Sequence, residues 1–199
     1  WSTTTFGDCE ASVQPRPFMF HHEAHAELRT SVQAAFEHLD DFRKLSAHME
    51  QPSAMMLGSR MQILVDAGGG RAVGSRVTMT GRILGLSLSL EEVVVERDPP
   101  LRKAWETVDA QLLVIGQYRL GFELEPHGEA CGLRVFIDYD GPRGSLTRLA
   151  AAFFAKSYAR WCTQRMAADA AKHFAVVTQV RQGQIYWTRP ANLVAIWWG

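Results

Sequence analysis

The stretch SLTRLAAAFFAKSYARWCTQRMAADAAKHF, from Ser145 to Phe174, decides the fold. It contains neither proline nor glycine, the two residues that most strongly disfavour a helix interior. At 1.5 Å per residue, one unbroken helix over this stretch would be about 45 Å long. Because it follows a series of strand-like segments, we predict that this helix lies across a broad, curved antiparallel sheet. The functional question is whether the helix completes a solid core or covers a pocket.

The composition is that of a globular domain. The chain has 199 residues, of which 47% are hydrophobic and 21% are charged, and this suits a single domain with a full core. Lys and Arg number 21, as do Asp and Glu, so the formal net charge is zero. Nucleic-acid binding needs concentrated positive charge, so we expect no nucleic-acid partner. The three cysteines are far apart and form no CxxC pair, which argues against a disulfide framework and a structural zinc site.

The sequence contains no recognisable targeting or membrane-spanning segment. Residues 1–17 lack the basic-then-apolar order of a signal peptide. No uncharged apolar stretch reaches the roughly 20 residues that cross a bilayer. We therefore expect a cytoplasmic protein without stable membrane insertion.

The chain divides into an N-terminal arm, one domain and a C-terminal tail. Residues 1–17 carry Ser, Thr, Gly and two prolines without periodicity, which predicts an irregular arm. Residues 18–174 form the predicted domain. Residues 175–199 do not continue the preceding pattern cleanly, and they contain one Tyr and three Trp residues. A docked arm, an oligomer contact and a disordered tail all remain open for this segment, and the oligomeric state is not fixed.

Within the domain, periodicity predicts a strand, two short helices, about six further strands and the long helix. Alternation from Phe18 to Leu28 predicts the first strand. Thr30 and Gln33 form a capping box that starts the first short helix, and Pro52 ends the second. Short turns between the following strands indicate hairpins. The predicted class is therefore α+β, with an antiparallel sheet of about seven strands.

The segment GSRVTMTGRILGLSLSLEEVVVERDPPLRKAWETV, residues 74–108, resembles the bacterial polyketide cyclase/dehydrase-like branch of the START/SRPBCC superfamily. A glycine-led strand, a strand ending in E-x-x-PP and a strand with a Trp recur there in this order. The resemblance covers about residues 20–174. It implies the Bet v 1-type helix-grip fold, in which a seven-stranded sheet wraps around the C-terminal helix. It also implies a cavity between sheet and helix for a hydrophobic or amphipathic ligand, such as a lipid, a polyketide or an aromatic molecule.

The side chains that would line such a cavity come from one face of the sheet and one face of the helix. Phe154, Tyr158 and Trp161 lie at positions i, i+4 and i+7, so they share a helix face. Aromatic rings with polar tips suit ligand pockets, although the same residues also fill ordinary cores. The candidate ligand-binding residues are Met79, Leu88, Trp105, Tyr118, Phe122, Ile137 and Tyr139 from strands, and Phe154, Tyr158, Trp161 and Met166 from the helix.

Glu91 and Glu92 are the candidate acid–base pair. Neighbours on a strand point to opposite sides, so one carboxyl is expected to face inward. An inward Glu92 in an apolar cavity would have a raised pKa and would suit general acid–base catalysis. Two alternatives remain: a bulge turns both carboxylates outward, or Arg82 neutralises the inner one.

The remaining motifs predict no cofactor and no metal. His21, Glu23 and His25 alternate on a strand face that we expect to meet solvent, and their spacing matches no zinc motif. The glycines between residues 68 and 74 fail both the G-x-G-x-x-G and the P-loop patterns. Cys162 has no evident His partner in the sequence, so we expect a buried, inert thiol.

Three functional hypotheses follow. The first is a protein that binds a hydrophobic or amphipathic small molecule between the sheet and the helix, with Tyr118, Tyr139 or Tyr158 orienting it. The second is a cyclase/dehydrase-type enzyme, in which an inward Glu92 or a Tyr moves protons on a poly-β-ketone chain. The third is a protein-interaction module that uses the Trp-rich C-terminal tail.

Overall fold

The computed structural model of the chain describes residues 18–50, 58, 60–83, 86–111, 115–141 and 148–181. This part forms seven strands and four helices. The strands are β1 (Phe20–Leu28), β2 (Met61–Val65), β3 (Arg76–Ile83), β4 (Leu86–Asp98), β5 (Arg102–Gln111), β6 (Tyr118–His127) and β7 (Ala130–Tyr139). The helices are α1 (Val32–Leu39), α2 (Phe42–Leu45), α3 (Ala47–Glu50) and α4 (Arg148–Arg181).

The strands form one antiparallel sheet in the order β1-β7-β6-β5-β4-β3-β2. Consecutive strands from β2 to β7 are neighbours, and β1 pairs with β7 at the other edge. Helix α4 packs chiefly against β1 and β7. The buried hydroxyl of Thr163 on this helix lies 3.2 Å from His22 Nδ1 on β1. The predicted helix-grip architecture is confirmed.

The helix that begins after β1 starts one residue later than the capping box predicts. Ser31 is the N-cap, and its hydroxyl accepts a hydrogen bond from the backbone N–H of Ala34 at 3.3 Å. The Gln33 side chain does not reach back to the cap but donates to Glu37 at 3.0 Å. The prediction of a capping box formed by Thr30 and Gln33 is therefore wrong. Ser is as good an N-cap as Thr, and an (i, i+4) amide–carboxylate pair is favourable on a helix surface.

The second predicted short helix is divided into α2 and α3. Ser46 separates them, and its backbone N–H and hydroxyl both donate to the carbonyl of Phe42. A serine hydroxyl that bonds to a nearby carbonyl offers the backbone an alternative to continuous helix. The domain therefore has three short helices where the sequence predicts two.

Strand and helix ends also differ from the prediction. The first strand, which is predicted from Phe18 to Leu28, begins at Phe20. Helix α4 passes Phe174 and continues to Arg181, so the first residues of the predicted tail are helical. β-Branched residues such as those after position 175 weaken a helix only slightly.

None of the helices in the described residues is both long and apolar enough to cross a membrane.

The predicted arm, residues 1–17, and residues 182–199 lie outside the described residues. The proposed protein contact through the Trp-rich tail therefore stays a prediction. Size-exclusion chromatography after deletion of residues 182–199 tests it, because loss of an oligomer contact would change the elution volume. An unchanged elution volume would retire the hypothesis.

A buried ion pair attaches the short helices to the sheet. Lys103 on β5 has no exposed surface, and its Nζ lies 2.8 Å from both the backbone oxygen and Oδ1 of Asp40. Arg97 on β4 donates to the same carboxylate from Nε at 3.1 Å and Nη2 at 2.9 Å. Because Asp40 is the C-cap of α1, these contacts fix the α1–α2 junction over β4 and β5.

Candidate functional site

A small cavity lies between the sheet and α4 and is closed on a third side by α2 and α3. Its volume is about 20 Å³, which is enough for one water molecule. It is lined by Phe42, Leu45, Ser46, His48, Met49, Met79, Glu92, Trp105, Tyr118, Leu120, Tyr158, Cys162 and Met166. The lining is largely apolar, with a few polar groups, which is the usual character of a ligand site.

Glu92 points into this cavity. Its side chain is 1% exposed, whereas its neighbour Glu91 accepts a hydrogen bond from Arg76 on the outer face of the sheet. The strand register is irregular here, since Glu91 faces Asp109 and Glu92 faces Thr107. The extra residue therefore belongs to β5, and the two carboxylates on β4 keep opposite directions. The alternative of a bulge that turns both outward does not apply.

The electrostatic surroundings of Glu92 favour its protonated form. Burial raises the pKa of this carboxyl to about 7, although the hydrogen bond from Tyr118 lowers it in part. The partner is thus Tyr118, not Arg82. Burial, and then the nearby Glu92, raise the pKa of Tyr118 well above its usual value. The phenol therefore stays protonated and donates its hydrogen bond to Glu92 Oε1.

Three polar atoms of the cavity lining have no hydrogen-bond partner among the described residues. They are His48 Nδ1, Glu92 Oε2 and the indole Nε1 of Trp105, and all three are fully shielded from solvent. The indole lies near enough to the carboxyl to lower its pKa slightly, but the approach does not complete a hydrogen bond. Trp105 itself is held by an edge-to-face contact with Phe42, with ring centres 5.6 Å apart. The contact with Phe42 therefore holds the indole of Trp105 in place, and the hydrogen bond from Tyr118 holds the carboxyl of Glu92.

Sulfur atoms form the wall of the cavity that belongs to α4 and α3. Cys162 Sγ lies 3.6 Å from His48 Nε2 and 3.8 Å from Met166 Sδ. The expectation that Cys162 has no His partner is therefore wrong, because α3 brings His48 to it. Burial raises the pKa of the thiol to about 12 and lowers the pKa of His48 to about 4. Both groups are neutral, so the thiol is inert as a nucleophile, as the sequence predicts.

The family comparison agrees with this architecture. The family described as "Polyketide cyclase / dehydrase and lipid transport" matches residues 19–172. The chain belongs to this family. The match spans every strand and the greater part of α4, and it confirms the resemblance found in residues 74–108. No curated protein sequence matches the chain.

Solved structures similar to this family member share its fold. The Zhui aromatase/cyclase from Streptomyces sp. R1128 is 13% identical, with a TM-score of 0.63 over 83% of this chain and 99% of that one. Ara h 8.0201 is 9% identical, with a TM-score of 0.56 over 79% and 98%. The protein TTHA0849 from Thermus thermophilus is 12% identical, with a TM-score of 0.53 over 81% and 99%. At these identities the likeness concerns the fold alone.

The structure brings together part of the predicted ligand-binding set. Met79, Trp105, Tyr118, Tyr158 and Met166 line the cavity of this family member. Four others are buried in the core and do not line it. They are Leu88, Phe122, Ile137 and Tyr139. The side chain of Phe154 lies outside the described residues.

Two of the predicted aromatic residues have other partners. Tyr139 stacks on Phe20 with ring centres 5.4 Å apart. Trp161 is half-buried and meets the His48 ring edge to face at 5.3 Å. Neither ring lines the cavity, and the Trp161 ring contacts a residue that does, His48.

The sequence prediction misses the contribution of the short helices. Residues 42–49 supply the third side of the cavity, and the prediction considered only the sheet and the long helix. The helical spacing of Phe42, Leu45 and Met49 is the signal that would have found them, since it shows that they share a face turned toward the domain.

A larger hollow of about 700 Å³ lies on the outer side of the sheet, near the turn between β4 and β5. Several of its charged side chains form ion pairs with one another. Glu123 forms an ion pair with Arg102, with 3.2 Å between Oε1 and Nε, and it accepts a hydrogen bond from Arg134 at 2.7 Å. An open surface lined by ion pairs lacks the apolar enclosure of a ligand pocket, so the interior cavity is the candidate site.

The His21, Glu23 and His25 face is a solvent-facing ion network. Hydrogen bonds from His25, Arg134 and His21 lower the pKa of Glu23 to about 2. His21 Nδ1 is 2.6 Å from Asp138 on β7. The described residues contain no cluster of three or more His, Cys, Asp or Glu side chains arranged to hold a metal.

Proposed function

We propose that the protein binds a small amphipathic molecule between the sheet and α4, with the polar group of the ligand at Glu92. The unpaired Glu92 Oε2 and Trp105 Nε1 carry this proposal. Buried polar groups are nearly always hydrogen-bonded, and each one left unpaired costs about 1–3 kcal/mol. A ligand hydroxyl satisfies both, because it donates to the carboxylate and accepts from the indole N–H.

The protonation state of Glu92 sets which ligand group fits. When the carboxyl holds its proton on Oε2, it and the indole N–H are both donors. A ligand carbonyl oxygen, which has two lone pairs, then accepts from both. With a pKa of about 7, Glu92 populates both states near neutral pH. The proposed ligand class therefore carries a carbonyl or a hydroxyl at one end of an apolar body.

The apolar body needs more room than the cavity of about 20 Å³ provides. Three of the lining residues are Met49, Met79 and Met166. Methionine side chains are unbranched and flexible, so they repack around different shapes at low cost. We propose that a ligand displaces these thioethers while the Glu92–Tyr118 pair stays in place.

Thermal denaturation with 2-naphthol and naphthalene tests this binding mode. We expect 2-naphthol to raise the Tm more than naphthalene, since one buried hydrogen bond adds about 1 kcal/mol, or roughly fivefold in Kd. Glu92→Leu should remove the difference. Glu91→Leu, which changes the neighbouring carboxylate on the outer face, should retain it. Equal stabilisation by both compounds in the unaltered protein would contradict the assignment of Glu92 as the polar anchor.

An acid–base enzyme of the cyclase or dehydrase kind is the second candidate. The pKa of Glu92, about 7, favours it, because a general acid or base works best with a pKa near the operating pH. The titratable group accepts a hydrogen bond from a phenol in a largely apolar cavity that has room for about one water molecule. Similarity of fold to an aromatase/cyclase supports the same class.

Turnover of a poly-β-ketone surrogate by Glu92→Gln separates the two candidates. If Glu92 moves a proton, we expect the variant to bind the surrogate and to lose turnover by a factor of about 100 or more. Tyr118→Phe should shift the pH profile upward, because the hydrogen bond it removes lowers the pKa of Glu92. Unchanged turnover in Glu92→Gln would remove this residue from the mechanism.

A further inference from the structure

Three soft or borderline donor atoms meet in the interior at Cys162. Met166 lies one turn further along α4, and His48 approaches from α3. The thiol is 3.6 Å from His48 Nε2 and 3.8 Å from Met166 Sδ. All three residues are at least 96% buried, and all line the same cavity. The ligand-binding proposal gives no role to Cys162 or His48, and it involves Met166 only as a side chain that moves aside for the ligand.

The two separations measured from the thiol are those of atoms that share one metal ion. With metal–sulfur bonds of about 2.3 Å and metal–nitrogen bonds of about 2.0 Å, neighbouring ligand atoms lie roughly 3.5 to 4 Å apart. We propose that Cys162, His48 and Met166 form a binding site for a soft monovalent metal ion of the Cu(I) class. Thiolate and thioether ligands select such ions, and imidazole also binds copper.

Charge balance favours a monovalent ion. Binding replaces the thiol proton, so Cys–SH and Cu⁺ give Cys–S–Cu and one proton, which leaves for solvent. The bound unit is neutral, and a neutral unit avoids the large cost of placing net charge in an apolar interior. A divalent ion on the same three side chains would keep one uncompensated positive charge.

The imidazole has one nitrogen available for the ion. His48 Nε2 contacts the thiol, whereas Nδ1 is buried without a hydrogen-bond partner among the described residues. In the tautomer with the proton on Nδ1, the lone pair of Nε2 is free to bind metal. Met49, which also lines the cavity, places its sulfur 3.9 Å from the Tyr158 hydroxyl, so that thioether is engaged elsewhere.

Anaerobic titration with Cu(I) in competition with bicinchoninate tests the site. All proteins carry Cys9→Ser, which removes a thiol of the N-terminal arm. We expect one tightly bound ion per chain. Cys162→Ser should weaken binding more than about 100-fold, and Met166→Leu and His48→Gln about tenfold, in line with losses for single partners of a metal. Cys131→Ser, which alters the other buried free thiol of the described residues, should leave binding unchanged.

The opposite results would overturn the proposal. They are a Cys162→Ser protein that binds Cu(I) like its parent, or a Cys131→Ser protein that loses as much affinity as Cys162→Ser. Circular dichroism of each variant shows whether it folds. If Cys162→Ser does not fold, X-ray absorption spectroscopy of the Cu(I)-loaded parent tests the site instead, because it identifies the atoms bound to the ion. Two sulfur neighbours and one nitrogen support the site, and fewer than two sulfur neighbours overturn it.

Discussion

Replacing Asp40 with alanine should lower the free energy of unfolding by about 3–5 kcal/mol, because it leaves a fully buried ammonium without its partner. Lys103 has no exposed surface, and its contacts to the Asp40 carboxylate and backbone oxygen are both 2.8 Å. Only the backbone contact survives the substitution. Arg97 is less affected, since 27% of its side chain is exposed to water. Urea denaturation monitored by circular dichroism measures the loss.

Two further variants make this result specific to the buried charge. Adding Lys103→Met to Asp40→Ala should recover much of the loss, because no buried charge then remains. Glu91→Ala breaks the exposed pair with Arg76 and should cost no more than about 1 kcal/mol. A loss below about 1 kcal/mol in Asp40→Ala would show that the ion pair does not hold the short helices on the sheet.

The same pair has a defined pH dependence. Burial alone raises the pKa of Asp40, but the hydrogen bonds from Arg97 and Lys103 outweigh it and lower the pKa overall. A carboxyl with a lowered folded pKa stabilises the fold above its unfolded pKa, and this contribution is lost as the pH falls through the folded value. The difference in stability between the parent and Asp40→Ala should therefore shrink in strong acid.

Glu92 should act in the opposite direction. Its pKa rises from 4.5 to about 7 on folding, so the unfolded chain releases this proton first. Between these values the free energy of unfolding should fall as the pH rises, by about 3 kcal/mol from this group alone. Glu92→Gln should remove this contribution, and Glu91→Gln on the outer face should keep it. Urea denaturation of the three proteins at pH 5 and pH 8 measures it.

The parent has to be compared with Glu92→Gln because two histidines also change the free energy of unfolding over part of this pH range. Burial lowers the pKa of both His38 and His48 to about 4. A buried neutral histidine makes the fold more stable as the pH rises toward 6.5, which offsets the effect of Glu92 in the parent. If the parent and Glu92→Gln have the same pH dependence, Glu92 does not carry a raised pKa.

The two-residue periodicity of the sequence predicts which side chains point inward wherever apolar and polar residues alternate over a full strand. The inward direction of Met79, Trp105 and Tyr118 follows from the two-residue repeat, because one sheet face is buried. The inward direction of Glu92 follows from the same repeat. The irregular register does not change this direction, because the extra residue is in β5 and not in β4. The long helix is likewise evident from the absence of proline and glycine.

Contacts between distant segments explain what the sequence does not predict. His48 and Cys162 are 114 residues apart, and no repeat relates positions on a four-residue helix and a long one. The size of the cavity depends on how side chains from several strands and helices fill a common space, which the order of elements does not determine. The unpaired Glu92 Oε2 and Trp105 Nε1 are visible only once that packing is known.

Native mass spectrometry of freshly purified protein tests most directly whether the space between the sheet and α4 holds a ligand. We predict a species heavier than the chain by the mass of one small organic molecule. Its abundance should fall in Glu92→Leu and persist in Glu91→Leu. Spectra that contain only the bare chain, together with no rise in Tm from either 2-naphthol or naphthalene, would contradict the account.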